Sequence, residues 1–196
     1  RILSSAASDV YKRQDLNILN NVKKEDFLKK LNPVYETIKE TRKKLSISNK
    51  DTIGFVGAPW TLLLYMLNRK SPKEGNFNIF PKDKYINNIL IKLDEFLKIH
   101  IEAQIKSGAS IIQIFDSWAG LLPEKDLDYF VYKPIKSLVD FIRQKKTISI
   151  CFPRNINSYK KFVDNVNPDI ISIDYNVDPS IIRAVSYTHL TLPTIG

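Results

Sequence analysis

Two short segments of the sequence combine aromatic, glycine and hydroxyl residues in a way that could bind a flat, partly apolar ligand. The first, FVGAPWT, covers positions 55–61, and the second, FDSWAG, covers positions 115–120. Together they hold both tryptophans and two of the six glycines, and Gly57 and Gly120 allow close approach of a backbone or a ligand. Their aromatic rings could line a ring-sized cleft. The GAP turn is too small to cradle a phosphate and lacks the lysine of a P-loop.

Other residues with reactive side chains have simpler interpretations. Asp116 and Asp174 each end a predicted strand, where we favour a structural role as acceptors of hydrogen bonds from loop N–H groups. Arg154 follows another predicted strand and could contact an anion. His100 lies within a predicted helix, which favours packing over catalysis, and Cys151 is expected to be a small buried apolar residue.

Composition limits the class of protein. The chain has 196 residues, of which 43% are hydrophobic and 26% charged, enough for one globular domain with its own core. A single cysteine excludes a disulfide framework and a cysteine-based metal cluster, and it favours a reducing compartment. The longest apolar stretch, 53–67, contains two glycines and Pro59 and is shorter than the ~20 residues of a membrane span, so no membrane crossing is expected.

The net charge of +9 does not predict nucleic-acid binding. Lysine supplies 23 of the 30 basic residues and arginine only 7, whereas specific reading of phosphates and bases tends to recruit arginine. No tight basic cluster with interleaved aromatic residues is present in the sequence. The charge is compatible with an anionic small-molecule substrate.

Hydrophobic periodicity predicts alternating strands and helices. Four apolar, β-branched runs favour buried strands, at 52–56, 110–115, 147–152 and 169–174. Helices are predicted at 60–67, 81–107 and 157–165, with a broken pair at 126–131 and 132–145. Polar loops are expected at 46–51 and 68–78, Gly108 is expected to end the long helix, and Asp178-Pro179 to begin one more. This order is typical of a parallel sheet covered by helices.

The first helix is predicted from its capping residues. Asn32 suits the N-cap position and Pro33 the first helical position, so the helix is expected to begin there. Its apolar face would carry Val34, Ile38 and Leu45.

Both ends of the sequence are interpreted as non-native. Residues 1–14 begin without Met and show neither helical nor strand periodicity, and residues 186–196 lapse into β-branched and proline residues. Ordinary frayed termini are the alternative. The functional domain is therefore expected to span 15–185.

In a parallel α/β sheet, functional residues gather where the strands end at their carboxyl termini. Both segments described first follow predicted strands, and both resemble signatures of the uroporphyrinogen decarboxylase family. IGFVGAPWTL at 53–62, followed by Tyr65-Met66, resembles GFxGAPWTLxxYM, and IFDSWAG at 114–120 matches the second signature. ISIDY at 171–175 is similar to the family's GLDW segment. The resemblance covers about 15–185, the middle half of a full family member.

The resemblance implies an incomplete (β/α)8 TIM-type barrel with parallel strands and covering helices. It further implies decarboxylation of the four acetate side chains of uroporphyrinogen III to methyl groups, giving coproporphyrinogen III in haem biosynthesis. A carboxy-lyase of this family needs no cofactor or metal and works as a cytoplasmic homodimer on an anionic tetrapyrrole, with no nucleic-acid or membrane partner.

Four positions take roles from the resemblance. Tyr65 matches a tyrosine that supports catalysis near the reacting group, and Ser117 a residue that binds a substrate carboxylate. Phe55 and Phe115 match apolar walls against the macrocycle. The family's arginine-rich loop and catalytic aspartate have no counterpart upstream of Asp15, and its last strands have none downstream. No catalytic residue is assigned, and the chain alone is expected to be inactive.

Two other functions stay open. A corrinoid-linked methyltransferase of the same superfamily would bind zinc, for which Cys151 and His100 do not give convincing ligand spacing. A basic, non-enzymatic binding module would use its lysine-rich helices and bind nucleic acid in a salt-dependent way.

Overall fold

A computed structural model of the chain describes residues 19–68 and 80–178. The chain divides into two compact units, which are treated separately below. The first comprises Arg1–Gly54 and Leu62–Ser110, and the second comprises Phe55–Thr61 and Ile111–Gly196. The segments 1–14 and 186–196, most of the loop at 68–78 and the helix expected from Pro179 onward lie outside the described residues.

Helices and strands alternate along the described chain. The helices are α1 (Lys24–Lys44), α2 (Pro59–Asn68), α3 (Lys84–Lys106), α4 (Glu124–Leu127), α5 (Lys133–Gln144) and α6 (Tyr159–Val166). The strands are β1 (Ile53–Gly57), β2 (Ile111–Asp116), β3 (Ile148–Pro153) and β4 (Ile170–Ile171). They form one sheet in the order β1-β2-β3-β4, with β2 parallel to β3 and β3 parallel to β4. The predicted parallel α/β sheet is confirmed.

In the first unit, α1 begins earlier than its capping pattern predicts. It starts at Lys24 and runs through Pro33, which lies in the helix interior. Val34 is 41% exposed, whereas Tyr35 and Ile38 are buried. Pro33 removes one backbone hydrogen bond but leaves the helix intact, because burial of the apolar face outweighs that local cost. The start at Asn32 and the place of Val34 on the buried face were therefore wrong.

Helix α3 supplies most of the core of the first unit. The Asp83 carboxylate caps its start by accepting a 2.9 Å hydrogen bond from the Ile86 backbone N–H. Gly108, with a φ of 111°, ends it as predicted. His100 on α3 lies 3.0 Å, through Nδ1, from the Tyr35 hydroxyl, and burial lowers its pKa. The packing role expected for His100 is confirmed.

The second unit buries alternate residues of its strands against helices. Ile112, Ile114 and Cys151 are fully buried, as expected for Cys151, and burial raises the pKa of that thiol. The predicted break between the two helices at 126–145 is a π-helical turn at Asp128–Tyr132, directly before α5. Pro134 in the first turn of α5 cannot donate a backbone hydrogen bond, which accounts for the break.

Strand β4 is shorter than the predicted strand at 169–174. The Asp169 carboxylate accepts hydrogen bonds from the backbone N–H and the hydroxyl of Ser149, at 2.8 and 2.6 Å. The Asp169 side chain thus takes the hydrogen-bonding position next to Ser149 that the backbone of a longer β4 would take. Beyond Ile171 one further backbone hydrogen bond, from Ser172 N–H to the Cys151 carbonyl, extends the contact with β3.

No helix among the described residues is long and apolar enough to cross a bilayer.

Candidate functional site

Three phenylalanines form a continuous row across neighbouring strands of the sheet. Phe115 and Phe152 are register partners on β2 and β3, with ring centroids 6.3 Å apart. Phe55 on β1 lies 6.1 Å from Phe115, and both contacts are edge-to-face. We call Phe55, Phe115 and Phe152 the aromatic row. It lies on the sheet face opposite the buried residues, near the carboxyl ends of the strands, and Phe55 is 65% exposed.

Phe152 was not singled out from the sequence. It precedes Pro153 at the end of β3, in the same position relative to its strand end as Phe115. Strand-end alignment of the predicted elements could have identified it, because register partners on parallel strands share a face.

The two signature segments contact each other at this edge of the sheet. The Ala58 backbone N–H donates to the Phe115 carbonyl at 2.8 Å. The Trp60 indole is fully buried, and its Nε1–H donates to the Trp118 carbonyl at 2.9 Å. A buried polar ring that fixes a neighbouring loop makes both turns rigid. The aromatic residues of these segments thus include a buried anchor, Trp60, and two members of the aromatic row, Phe55 and Phe115.

Asp116 at the end of β2 is a buried, partly satisfied carboxyl group. It is fully buried, and its Oδ1 accepts a 2.7 Å hydrogen bond from the Thr61 hydroxyl. Within the described residues its Oδ2 has no partner. Burial raises the pKa of Asp116 to about 7, against the opposing effects of hydrogen bonds from Thr61 and the Trp118 backbone. The side chain faces the core, so its geometry supports the structural interpretation.

The loops after β2 and β3 are joined by backbone hydrogen bonds. Arg154 N–H donates to the Asp116 carbonyl, and Gly120 N–H donates to the Arg154 carbonyl, both at 3.0 Å. A Cβ at Gly120 would lie 2.2 Å from the carbonyl oxygen of Asn155. Only glycine at this position therefore allows the loop after β2 to pack against the loop after β3.

Asp174 also fixes the loop after β3 through hydrogen bonds. Its Oδ2 accepts hydrogen bonds from the Asn155 backbone N–H and the Tyr159 hydroxyl, both at 2.6 Å. Asn155 has a left-handed backbone with a φ of 56°. The prediction that Asp174 accepts a loop N–H is confirmed. Burial is the main cause that raises the pKa of Tyr159.

The predicted site residues fall in different units. Phe55, Phe115 and Ser117 belong to the second unit, and Ser117 directly follows β2. Tyr65 belongs to the first unit, on α2, and is 40% exposed. The roles of these four residues stay predictions. Among residues 19–68 and 80–178, no group of three or more His, Cys, Asp and Glu side chains is arranged to hold a metal ion.

Comparison with known proteins gives one consistent family. The family model described as uroporphyrinogen decarboxylase (URO-D) matches residues 4–192. The chain is 42% identical over 153 residues to the uroporphyrinogen decarboxylase of Rickettsia bellii, covering 74% of this chain and 44% of the relative. It is 39% identical over 154 residues to that of Orientia tsutsugamushi, covering 76% and 45%. For that of Campylobacter jejuni the identity is 37% over 160 residues, covering 79% and 46%.

The chain spans slightly less than half the length of these curated relatives. Its parallel strands and covering helices agree with the incomplete (β/α)8 barrel expected from the sequence, and its sheet is open. The match of the family model to almost the whole sequence, together with these relatives, shows that the chain belongs to the uroporphyrinogen decarboxylase family.

Proposed function

We propose that the whole protein removes CO2 from the four acetate side chains of uroporphyrinogen III, giving coproporphyrinogen III. Family membership and the names of the relatives support this reaction. The observation that carries it is the aromatic row, which presents three rings at the carboxyl ends of adjacent parallel strands. That is the edge where α/β barrels place their active sites.

The chemistry suits an apolar wall. When a pyrrole α-carbon is protonated, the ring becomes an electron sink, and the electrons of the C–CO2 bond can move into it as CO2 leaves. A proton then adds to the exocyclic carbon in place of the lost carboxyl group, and departure of the proton first added at the α-carbon restores the neutral pyrrole. A water-poor face favours a step that disperses charge, so the aromatic row would lower the barrier by excluding solvent.

The polar roles of Ser117 and Tyr65 follow the resemblance. The Ser117 hydroxyl, next to the aromatic row in sequence, would donate a hydrogen bond to a substrate carboxylate. The Tyr65 phenol would donate to a reacting or neighbouring carboxylate. We propose that the 196-residue chain by itself binds the tetrapyrrole without decarboxylating it, because the resemblance assigns substrate-binding positions to it but no catalytic residue.

The proposal extends to the protein's partners. The whole protein would work in the cytoplasm as a homodimer on a small anionic substrate rather than on nucleic acid. The predominance of lysine over arginine supports this preference.

Segment exchange tests the proposed activity. Residues 19–178 would replace the matching segment of the Rickettsia bellii decarboxylase, and coproporphyrinogen formation would be followed by chromatography. We expect an active graft, in which S117A raises KM and Y65F lowers kcat, whereas S48A in an exposed turn changes neither. A folded graft that leaves uroporphyrinogen intact would contradict the proposal, and stoichiometric zinc in that graft would favour the methyltransferase.

A further inference from the structure

Arg154 differs from the other arginines that the structure describes. The guanidinium of Arg42 lies 3.5 Å from the Asp51 carboxylate, and that of Arg143 lies 3.2 Å from the Asp140 carboxylate. Arg154 is exposed, and among residues 19–68 and 80–178 its guanidinium has no hydrogen-bond or ion-pair partner. A guanidinium has five N–H donors in a fixed fork, so Arg154 offers a binding group that the described protein does not use.

The backbone of Arg154 is nevertheless fixed. Its N–H donates to the Asp116 carbonyl at 3.0 Å, a bond that belongs to Asp116 and Pro153, the last register pair of β2 and β3. Ser117 and Arg154 are the first residues of the two turns that follow these paired strand ends. The Gly120 N–H donates to the Arg154 carbonyl, so both backbone polar groups of Arg154 are hydrogen-bonded.

Ser117 and Arg154 each follow a buried residue at the end of a strand. Asp116 and Pro153 are buried on the helix-covered face. If the alternation of each strand is extended by one residue, the side chains of Ser117 and Arg154 point to the side of the aromatic row. This arrangement would bring a hydroxyl and a guanidinium to the same side, two residues beyond Phe115 and Phe152.

Two carboxyl groups whose residues adjoin this turn face other parts of the protein. Asp174 accepts from the Asn155 N–H and the Tyr159 hydroxyl, and it is buried. Asp116 is fully buried on the opposite face, with its Oδ1 bonded to Thr61. Neither competes for the Arg154 guanidinium, so an anion from outside the protein would find it available.

We propose that Arg154 and Ser117 together bind one carboxylate side chain of an anionic tetrapyrrole whose ring lies against the aromatic row. The guanidinium would donate two parallel N–H bonds to the carboxylate oxygens, and the hydroxyl would donate a third. The tetrapyrrole as ligand rests on the proposed function. The guanidinium–hydroxyl pair, which we call the carboxylate clamp, rests on the strand register.

Binding of uroporphyrin to the full 196-residue chain tests the clamp. Uroporphyrin is a stable, oxidised tetrapyrrole with eight carboxylates, and its binding can be titrated by its own fluorescence. We expect R154Q to weaken binding about tenfold, the effect of losing a charge-assisted hydrogen bond. R154K keeps the charge but loses the fork, so it should fall between R154Q and the unmodified chain.

A charge-matched control separates the clamp from general attraction to a basic protein. K39Q removes one positive charge from an exposed side chain of α1, whose ion pair with Glu36 is long at 3.9 Å. It should leave uroporphyrin affinity unchanged. S117A should weaken binding by itself, and in the R154Q/S117A double variant the losses should be less than additive, because both groups would hold the same carboxylate. Circular dichroism melting verifies that each variant is folded.

Each result decides the proposal. If R154Q binds uroporphyrin as tightly as K39Q, if the two losses simply add, or if the folded chain does not bind uroporphyrin at all, the clamp is overturned. An active graft whose R154Q form has an unchanged KM would overturn the clamp alone and leave the proposed function standing. If uroporphyrin binding depends on Arg154 and Ser117 but the graft is inactive, the proposed function is overturned and the clamp stands.

Discussion

The hydroxyl of Thr61 donates a 2.7 Å hydrogen bond to Oδ1 of Asp116, a residue 55 positions further along the chain. This bond ties the first turn of α2 to the end of β2, where the two signature segments meet. It satisfies only part of a fully buried carboxyl group, because Oδ2 has no partner among the residues described. Asp116 therefore favours its protonated form in the folded protein.

Stability should consequently fall as the pH rises from about 4 to about 7. The pKa of Asp116 is about 7 in the fold and 3.8 as the ordinary value, so across this interval the folded state binds a proton that the unfolded state has released. The loss is on the order of 4 kcal/mol once the pH exceeds 7. Urea unfolding from pH 4 to 8 measures it, with D116N as the comparison.

D116N keeps an acceptor for Thr61 but has no titratable group. The difference in unfolding free energy between the unmodified chain and D116N should therefore change with pH. Other titratable groups such as His100 are present in both proteins, so their contributions cancel in this difference. Parallel profiles for the two proteins would show that Asp116 is ionised in the fold.

The buried tyrosines Tyr159 and Tyr132 provide a matched pair of variants. Tyr159 donates to the Asp174 carboxylate at 2.6 Å and accepts from the Asp174 backbone N–H at 3.0 Å, whereas the Tyr132 hydroxyl has no partner in the described chain. Y159F should cost about 1.5–3 kcal/mol of unfolding free energy, because a charged acceptor loses its donor. Y132F should be neutral or slightly stabilising. Equal effects in denaturant titrations would argue against a supporting role for Tyr159.

The aromatic row predicts where tetrapyrrole binding is sensitive to mutation. F152L removes one ring while keeping an apolar side chain, and we expect uroporphyrin affinity to fall about fivefold. I148A is the control, because Ile148 lies on the same face at the amino end of β3 and is 45% exposed. It should leave the affinity unchanged. A stronger effect of I148A than of F152L would place the ligand at the wrong end of the sheet for this proposal.

Gly120 should tolerate no side chain. In G120A the new Cβ would meet the Asn155 carbonyl oxygen at 2.2 Å, so the loop after β2 must move away from Arg154. We expect a loss of about 1–3 kcal/mol in stability and weaker uroporphyrin binding.

The neighbouring residue supplies a control for this clash. N155G alone should fold, because glycine readily adopts the φ of 56° found at Asn155. Adding N155G to G120A should not restore binding, since the nearest clashing atom is a backbone oxygen. Rescue in the double variant would show instead that the Asn155 side chain sets the limit.

Local patterns predicted the elements well where one strong signal dominated. The long apolar periodicity located α3, Gly108 ended it, and the β-branched runs located β1, β2 and β3 to within about two residues. Capping rules failed at Pro33, since tertiary packing of α1 continues through the proline. The β-branched run at 169–174 predicted a longer strand than β4, which begins after Asp169, whose side chain bonds the Ser149 N–H.

By itself the sequence determined the family, through two long signature segments, and the order of strands and helices, through hydrophobic period. It also placed Phe55, Phe115 and Ser117 at strand ends. Only the tertiary structure decided that Phe152 completes the aromatic row, that Asp116 turns inward to Thr61, and that the Arg154 N–H bonds the Asp116 carbonyl. These relations depend on register between strands, and register is set by contacts between residues far apart in the chain, which no local pattern encodes.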